Sequence, residues 1–107
     1  GRRTLFETDP VTVPAGALHL FQNHPNPFNP STTIRYDLPE RCRVTIEVFD
    51  VSGRRIACLV DRVQDPGTKA VSWNGSDSEG GQAGSGLYFY RLTAGKTSIS
   101  KKMILLR

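Results

Sequence analysis

The cleanest alternation in the chain runs from Arg43 to Phe49. Val44, Ile46 and Val48 fall on one side, and Arg43, Thr45 and Glu47 on the other. A period of two is the signature of a half-buried strand. Thr32 to Leu38 reads the same way and is closed by Pro39. Asp50 to Gly53 predicts a turn, and Arg55 to Val60 its return strand. A second turn is expected at Asp65-Pro66-Gly67, followed by a strand from Lys69 to Trp73 with Val71 and Trp73 in phase. Asn74 to Gly86 is polar and carries Gly75, Gly80, Gly81, Gly84 and Gly86, so it reads as a loop. Leu87 to Thr93 is an aromatic-rich strand, Ala94-Gly95 a tight turn, and Thr97 to Leu106 the last strand. No window shows a capped helical period. Six or seven short strands with regular turns predict an all-β, two-sheet antiparallel sandwich.

The segment before these strands has a different character. Asn23-His24-Pro25-Asn26-Pro27-Phe28-Asn29-Pro30 excludes both a helix and a central strand. Proline pushes its predecessor toward extended geometry, so a stiff extended segment is expected. Phe28 is its one large apolar side chain and is expected to plug one end of the core. A proline-rich ligand for a partner domain is the rival reading. Gly1 to Ala17 lacks periodicity and reads as a linker or the tail of a preceding domain, with one domain over residues 18–107. Opening on Gly1, the chain reads as a piece of a longer protein whose export signal would lie upstream.

Composition adds limits. The 107 residues suit one domain, and 10 Gly with 7 Pro favour many short strands. Nothing approaches the roughly 20 apolar residues of a membrane span. Net charge is +4, but Arg35, Arg41, Arg43, Arg54, Arg55, Arg62, Lys69 and Arg91 are scattered along the chain. That is a solvated sheet surface and argues against nucleic acid as a partner. The tight cluster is Lys101-Lys102 with Arg107. Cys42 and Cys58 raise the prospect of a disulfide. The expected hairpin puts Cys58 opposite Thr45 or Ile46, leaving Cys42 roughly 13 Å off at strand rise. Bridged cysteines need Cα atoms within roughly 7 Å, so two free thiols acting as small hydrophobes are expected.

Candidate chemistry is sparse. His19 and His24 have no Cys, Ser or carboxylate at a recognisable catalytic spacing, and no nucleophile elbow, zinc motif or phosphate loop occurs. The reading is no enzyme and no cofactor. Asn74, Ser76, Asp77, Ser78 and Glu79 resemble the start of a calcium loop, but the bidentate Glu and the flanking helices of such a loop are missing. A hairpin loop with no metal is expected. Trp73, Tyr88, Phe89 and Tyr90 suggest a sugar-stacking platform as one reading and the core as the other. Alternation lets only Tyr88 and Tyr90 of the three strand aromatics share a face.

Five motifs together carry a resemblance. Asn23 to Tyr36 (NHPNPFNPSTTIRY), Val44 to Val60 (VTIEVFDVSGRRIACLV), Val71 to Gly75 (VSWNG), Ser85 to Leu92 (SGLYFYRL) and Lys101 to Arg107 (KKMILLR) stand in order. They resemble the C-terminal sorting domains of the bacterial type IX secretion system and the related domain of the flagellar hook-capping protein. His24 and Asn74 depart from the usual Tyr and Asp, and the two cysteines are unusual. The resemblance implies an immunoglobulin-like β-sandwich, non-catalytic, at the end of a larger exported protein. It would be a sorting signal read by outer-membrane secretion machinery, bringing its parent through the periplasm to the medium or cell surface. Its expected partners are that machinery and the parent's upstream domains, with the isolated domain a monomer. The alternatives are a carbohydrate-binding or adhesive sandwich, with polysaccharide as partner, or a spacer on a secreted hydrolase. The expected signal residues are Lys101, Lys102, Met103, Ile104, Leu105, Leu106 and Arg107. They would offer a strand edge for addition, with basic residues that discourage promiscuous pairing. Replacing Lys102 and Arg107 by Gln is expected to leave stability within about 0.5 kcal/mol.

Overall fold

Val44, Ile46 and Val48 are fully shielded from solvent, as their alternation demands, and they occupy an inner strand of a four-stranded sheet. The computed structural model describes residues 17–107; the expected linker, apart from Ala17, lies outside the described residues. Seven strands follow in chain order: β1 (His19–Leu20), β2 (Thr32–Leu38), β3 (Cys42–Phe49), β4 (Arg55–Gln64), β5 (Gly67–Trp73), β6 (Gly86–Ala94) and β7 (Thr97–Leu105). One antiparallel sheet has the order β1-β2-β5 and the other β4-β3-β6-β7. Each inner face supplies alternate apolar side chains: Ile34, Tyr36 and Leu38 from β2, Tyr88, Tyr90 and Leu92 from β6, Met103 and Leu105 from β7. The expected sandwich of about seven strands is the observed one.

The turn at Asp50 to Gly53 shows why its residues form a turn. Asp50 Oδ1 accepts hydrogen bonds from the Ser52 amide, the Ser52 hydroxyl and the Arg54 amide. The Ser52 hydroxyl leads these bonds in holding the Asp50 carboxyl below its ordinary range. Gly53 takes a φ of +89°, which a side chain would resist. Pro39 ends β2, and the chain crosses to the second sheet; Asp65-Pro66 returns it to the first.

Three expectations about the β3–β4 hairpin need correction. β4 does not stop at Val60 but continues to Gln64, paired with Cys42 to Thr45. Asp61, Arg62 and Val63 are all exposed and show no alternation, so only main-chain pairing and the Arg43–Asp61 and Arg41–Asp65 ion pairs reveal them as strand. The register also shifts between Ile46 and Glu47, where the partners jump from Val60 to Cys58 and Leu59 is extra. This β-bulge puts Cys58 opposite Glu47 rather than Thr45 or Ile46. It also turns Cys58 outward, so this thiol is exposed and is not a core hydrophobe, while Cys42 is half-buried. Cys42 pairs with Gln64, so the thiols stand farther apart than expected, roughly 16 Å along the strand.

Candidate functional site

Three prolines without N–H groups cannot hold Asn23 to Pro30 in a ladder, and the segment is bent rather than stiffly extended. The peptide bonds before Pro25, Pro27 and Pro30 are cis. Side chains replace the missing main-chain bonds. The buried Asn23 donates from Nδ2 to Pro25 O at 3.1 Å and to Thr32 Oγ1 at 3.0 Å, and Thr32 Oγ1 donates to Pro25 O at 2.8 Å. The Tyr90 hydroxyl donates to Phe21 O and accepts from the Asn23 amide, both at 2.8 Å. The strap is thereby fastened to β2 and β6. Phe28 is buried, as expected, with its ring centroid 5.7 Å from that of Trp73.

Burial pushes the Tyr90 hydroxyl up to about 12, against the opposing hydrogen bond from the Asn23 amide. The phenol is therefore held neutral by the fold. Its contribution is fully present below the ordinary phenol value of 10.0 and is lost as pH rises through about 12. Thermal melts across this alkaline window are expected to show a falling midpoint. In Tyr90→Phe that fall should be smaller, although Tyr36, also raised chiefly by burial, retains part of it. An identical alkaline loss in the variant would detach Tyr90 from the effect.

The strap lies against the seven residues expected to carry the signal. β7 is an edge strand, bonded to β6 on one side only. Lys101 is half-buried, Lys102 exposed, and Met103 and Leu105 fully buried in the core. Ile104 and Leu106 are 39% and 52% exposed. The continuous apolar run is thus split between an inner and an outer face. Lys102 O accepts from Gln22 Nε2 at 2.6 Å, and the Ile104 amide donates to Asn26 Oδ1 at 2.9 Å. Phe28 N donates to Ile104 O, and Leu106 N to Phe28 O, both at 3.0 Å in a parallel bridge. The expectation of an open edge along the terminal motif is therefore corrected: the strap covers that edge from Lys102 O to Leu106. Gln22 and Asn26 went unnoticed in the sequence because their partners lie about 80 residues away in the chain.

Arg107 is also more than a solvated charge. Its amide donates to Ser85 Oγ at 2.8 Å, Nε to Ala83 O at 2.6 Å and Nη2 to Gly75 O at 3.0 Å. Gly75 has a φ of +82°, and a Cβ there would collide with the guanidinium. Arg107→Gln therefore costs roughly 1 kcal/mol instead of being neutral, while Lys102→Gln stays near zero.

The other candidate features are absorbed by local structure. Asn74 Oδ1 accepts from the Ser76 amide and hydroxyl, and Asp77 Oδ1 from the Glu79 and Gly81 amides. These oxygens build the loop's turns. Trp73, Tyr88 and Tyr90 lie in the core, and Tyr88 donates to Gly84 O at 2.7 Å, so they form no platform at the surface. On the outer face Phe49 pairs with Phe89, and the Arg91 guanidinium sits 4.6 Å from the Phe49 centroid. His19 lies 3.8 Å from Asp37 across β1 and β2, and His24 bridges to Thr33.

A comparison with curated proteins finds no match. Among solved structures the chain is similar to dimeric latent PorU from Porphyromonas gingivalis, with 22% identity and a TM-score of 0.71 over 84% of this chain and 9% of that one. It is similar to PorZ from the same organism, a surface component of the type IX secretion system, with 20% identity and a TM-score of 0.56 over 84% of this chain and 11% of that one. FlgD from P. aeruginosa shares 20% identity and a TM-score of 0.56 over 70% of this chain and 60% of that one. These likenesses are of fold. Residues 22–106 match the model of the secretion system C-terminal sorting domain, a span that takes in the proline-rich strap, the whole of β7 and all but the last residue of the closing motif, and the chain belongs to that family.

Proposed function

We propose that this domain is the non-catalytic export address of a larger protein, read by outer-membrane secretion machinery, and that it carries its parent by way of the periplasm to the surface or medium. Membership of the sorting-domain family carries this reading. The geometry supports placing the address on the outer side of the closing motif. Met103 and Leu105 are committed to the core, while Lys102, Ile104 and Leu106 are exposed where a receptor can touch them. Arg107 anchors the end of the strand through Gly75 and Ala83. The non-catalytic reading is supported by the loop carboxylate of Asp77 and the amide of Asn74, both engaged by their own backbone.

The test is a fusion. Residues 1–107 would follow a Sec-targeted reporter in a bacterium with a type IX system. The reporter is expected in the medium or at the cell surface. Lys102→Gln with Ile104→Ser and Leu106→Ser changes only exposed side chains, so it should fold and yet be retained. A wild-type fusion that stays in the periplasm would refute the transport reading. Normal export of the triple variant would move the address off this strand.

A further inference from the structure

β7 has a second half that the strap does not reach. Ile104 directs both its N–H and its C=O away from β6, to Asn26 and Phe28. The β6–β7 register runs without a shift from Gly86↔Leu105 to Ala94↔Thr97. Alternation along an antiparallel pair then points the N–H and C=O of Ser98 and Ser100 outward, together with the N–H of Lys102. Among the described residues no main-chain or side-chain partner meets them. The side chains of Ser98 and Ser100 are small, and the register is unbroken, which leaves the edge accessible to an added strand.

Charge singles out one kind of occupant. The cations of β3, β4, β6 and their turns face carboxylates: Arg41–Asp65, Arg43–Asp61, Arg54–Asp50, and Arg55 and Arg91 on Glu47. An exception in these strands is Arg62, on the opposite edge of the sheet. Lys96, Lys101, Lys102 and Arg107 lie in β7 and its flanks, and among the described residues they pair with no carboxylate. The stretch from Ala94 to Arg107 contains no acidic residue at all. Beside the open edge a shallow groove, lined by Gln22, Asn26, Leu87, Lys102, Met103 and Ile104, has room for an apolar side chain.

We propose that the edge of β7 from Ser98 to Lys102 accepts an extended acidic segment of a partner protein as an eighth strand. Its carboxylates would meet Lys101 and Lys102, and one of its apolar side chains would enter the groove at Ile104. The inference rests on the export reading and names the contact through which the domain is held. The strap has a part in it: by occupying Lys102 O to Leu106 it sets where the added strand must stop.

Ser100→Pro tests this directly. The Ser100 N–H makes no bond to β6, so proline there leaves the ladder intact, yet it blocks a guest strand. The reporter fusion with residues 1–107 would carry this change, and its melting temperature would be compared with the wild type. Export is expected to fall roughly tenfold or more, the loss that goes with one or two interface hydrogen bonds. If Ser100→Pro melts early, Ser98→Pro and the charge reversal Lys102→Glu carry the same expectation. Wild-type export from a folded Ser100→Pro fusion would overturn the edge proposal and leave the address standing. Failure of the unaltered fusion would overturn both. A concentration-dependent dimer of the wild-type chain that Ser100→Pro abolishes would assign the edge to a second copy and likewise reject the acidic partner.

Discussion

Trp73→Ala is expected to lower the stability of the domain by about 3–5 kcal/mol. The indole is 2% exposed at the end of β5 and closes the core between the two sheets. Its ring centroid lies 5.7 Å from Phe28 and 5.6 Å from Tyr88, the latter edge to face. Such pairs add about 0.5–1.5 kcal/mol to the burial itself. The indole N–H donates to Ser76 O at 2.8 Å, which ties the glycine-rich loop to the core. Alanine removes all of these at once and leaves a cavity that rigid sheets cannot close. Small domains hold about 5–15 kcal/mol in total, so the variant would be near its unfolding threshold at room temperature. Urea unfolding measures the effect as a lower midpoint with little change in slope. An unchanged midpoint would place the indole outside the core and restore the sugar-platform reading.

The legible parts of this fold are those where one physical rule acts alone. β2, β3 and β6 have one face in the core and one in solvent, and their side chains alternate accordingly. Tyr36, Ile46 and Val48 are assigned to the core from period, and they are buried; for Tyr90 the period gives only a face shared with Tyr88. The period of β4 is harder to read, because one register shift makes Leu59 extra and a second makes Ile56 extra, leaving Ile56 and Ala57 buried in succession; beyond Val60 the strand is exposed on both faces and carries no hydrophobic pattern. The strap was legible as a non-strand, since proline forbids a ladder, and Phe28 as its anchor. Its bend was not, because that bend is made by Asn23 and Thr32, two polar residues whose burial leaves no trace in hydropathy. The candidate site divides the same way. Lys101 to Arg107 stood out by composition. Its masking by Gln22, Asn26 and Phe28, and the locking of Arg107 onto Gly75, depend on contacts across the whole chain, which only the tertiary structure brings together.

Phe28→Ala should be as costly as the tryptophan change, about 3–5 kcal/mol, but its consequences are placed differently. The ring is 1% exposed and is the strap's one large apolar anchor in the core. The main chain of the same residue holds the end of β7, through Ile104 O and the Leu106 amide. Alanine keeps those two backbone groups, so hydrogen bonding alone predicts no loss at the edge. Without the ring the strap keeps its polar anchors at Asn23 and Tyr90 but loses its one large apolar one, and its bonds to β7 are expected to open more readily. Native-state hydrogen exchange separates the two effects. The Leu106 and Ile104 amides are expected to exchange faster than the inner-strand amides of β3 in the variant, by local opening and not only by global unfolding. Combined with Trp73→Ala the costs should fall short of their sum, because each change already removes the contact between the two rings. Export should also fall at temperatures where the variant remains folded. Lys102, Ile104 and Leu106 are all still present, but the edge that presents them has come loose. If Leu106 exchange merely follows the global stability, the strap is a passive neighbour of β7. A folded variant exported as well as the wild type would show that the address is read without it.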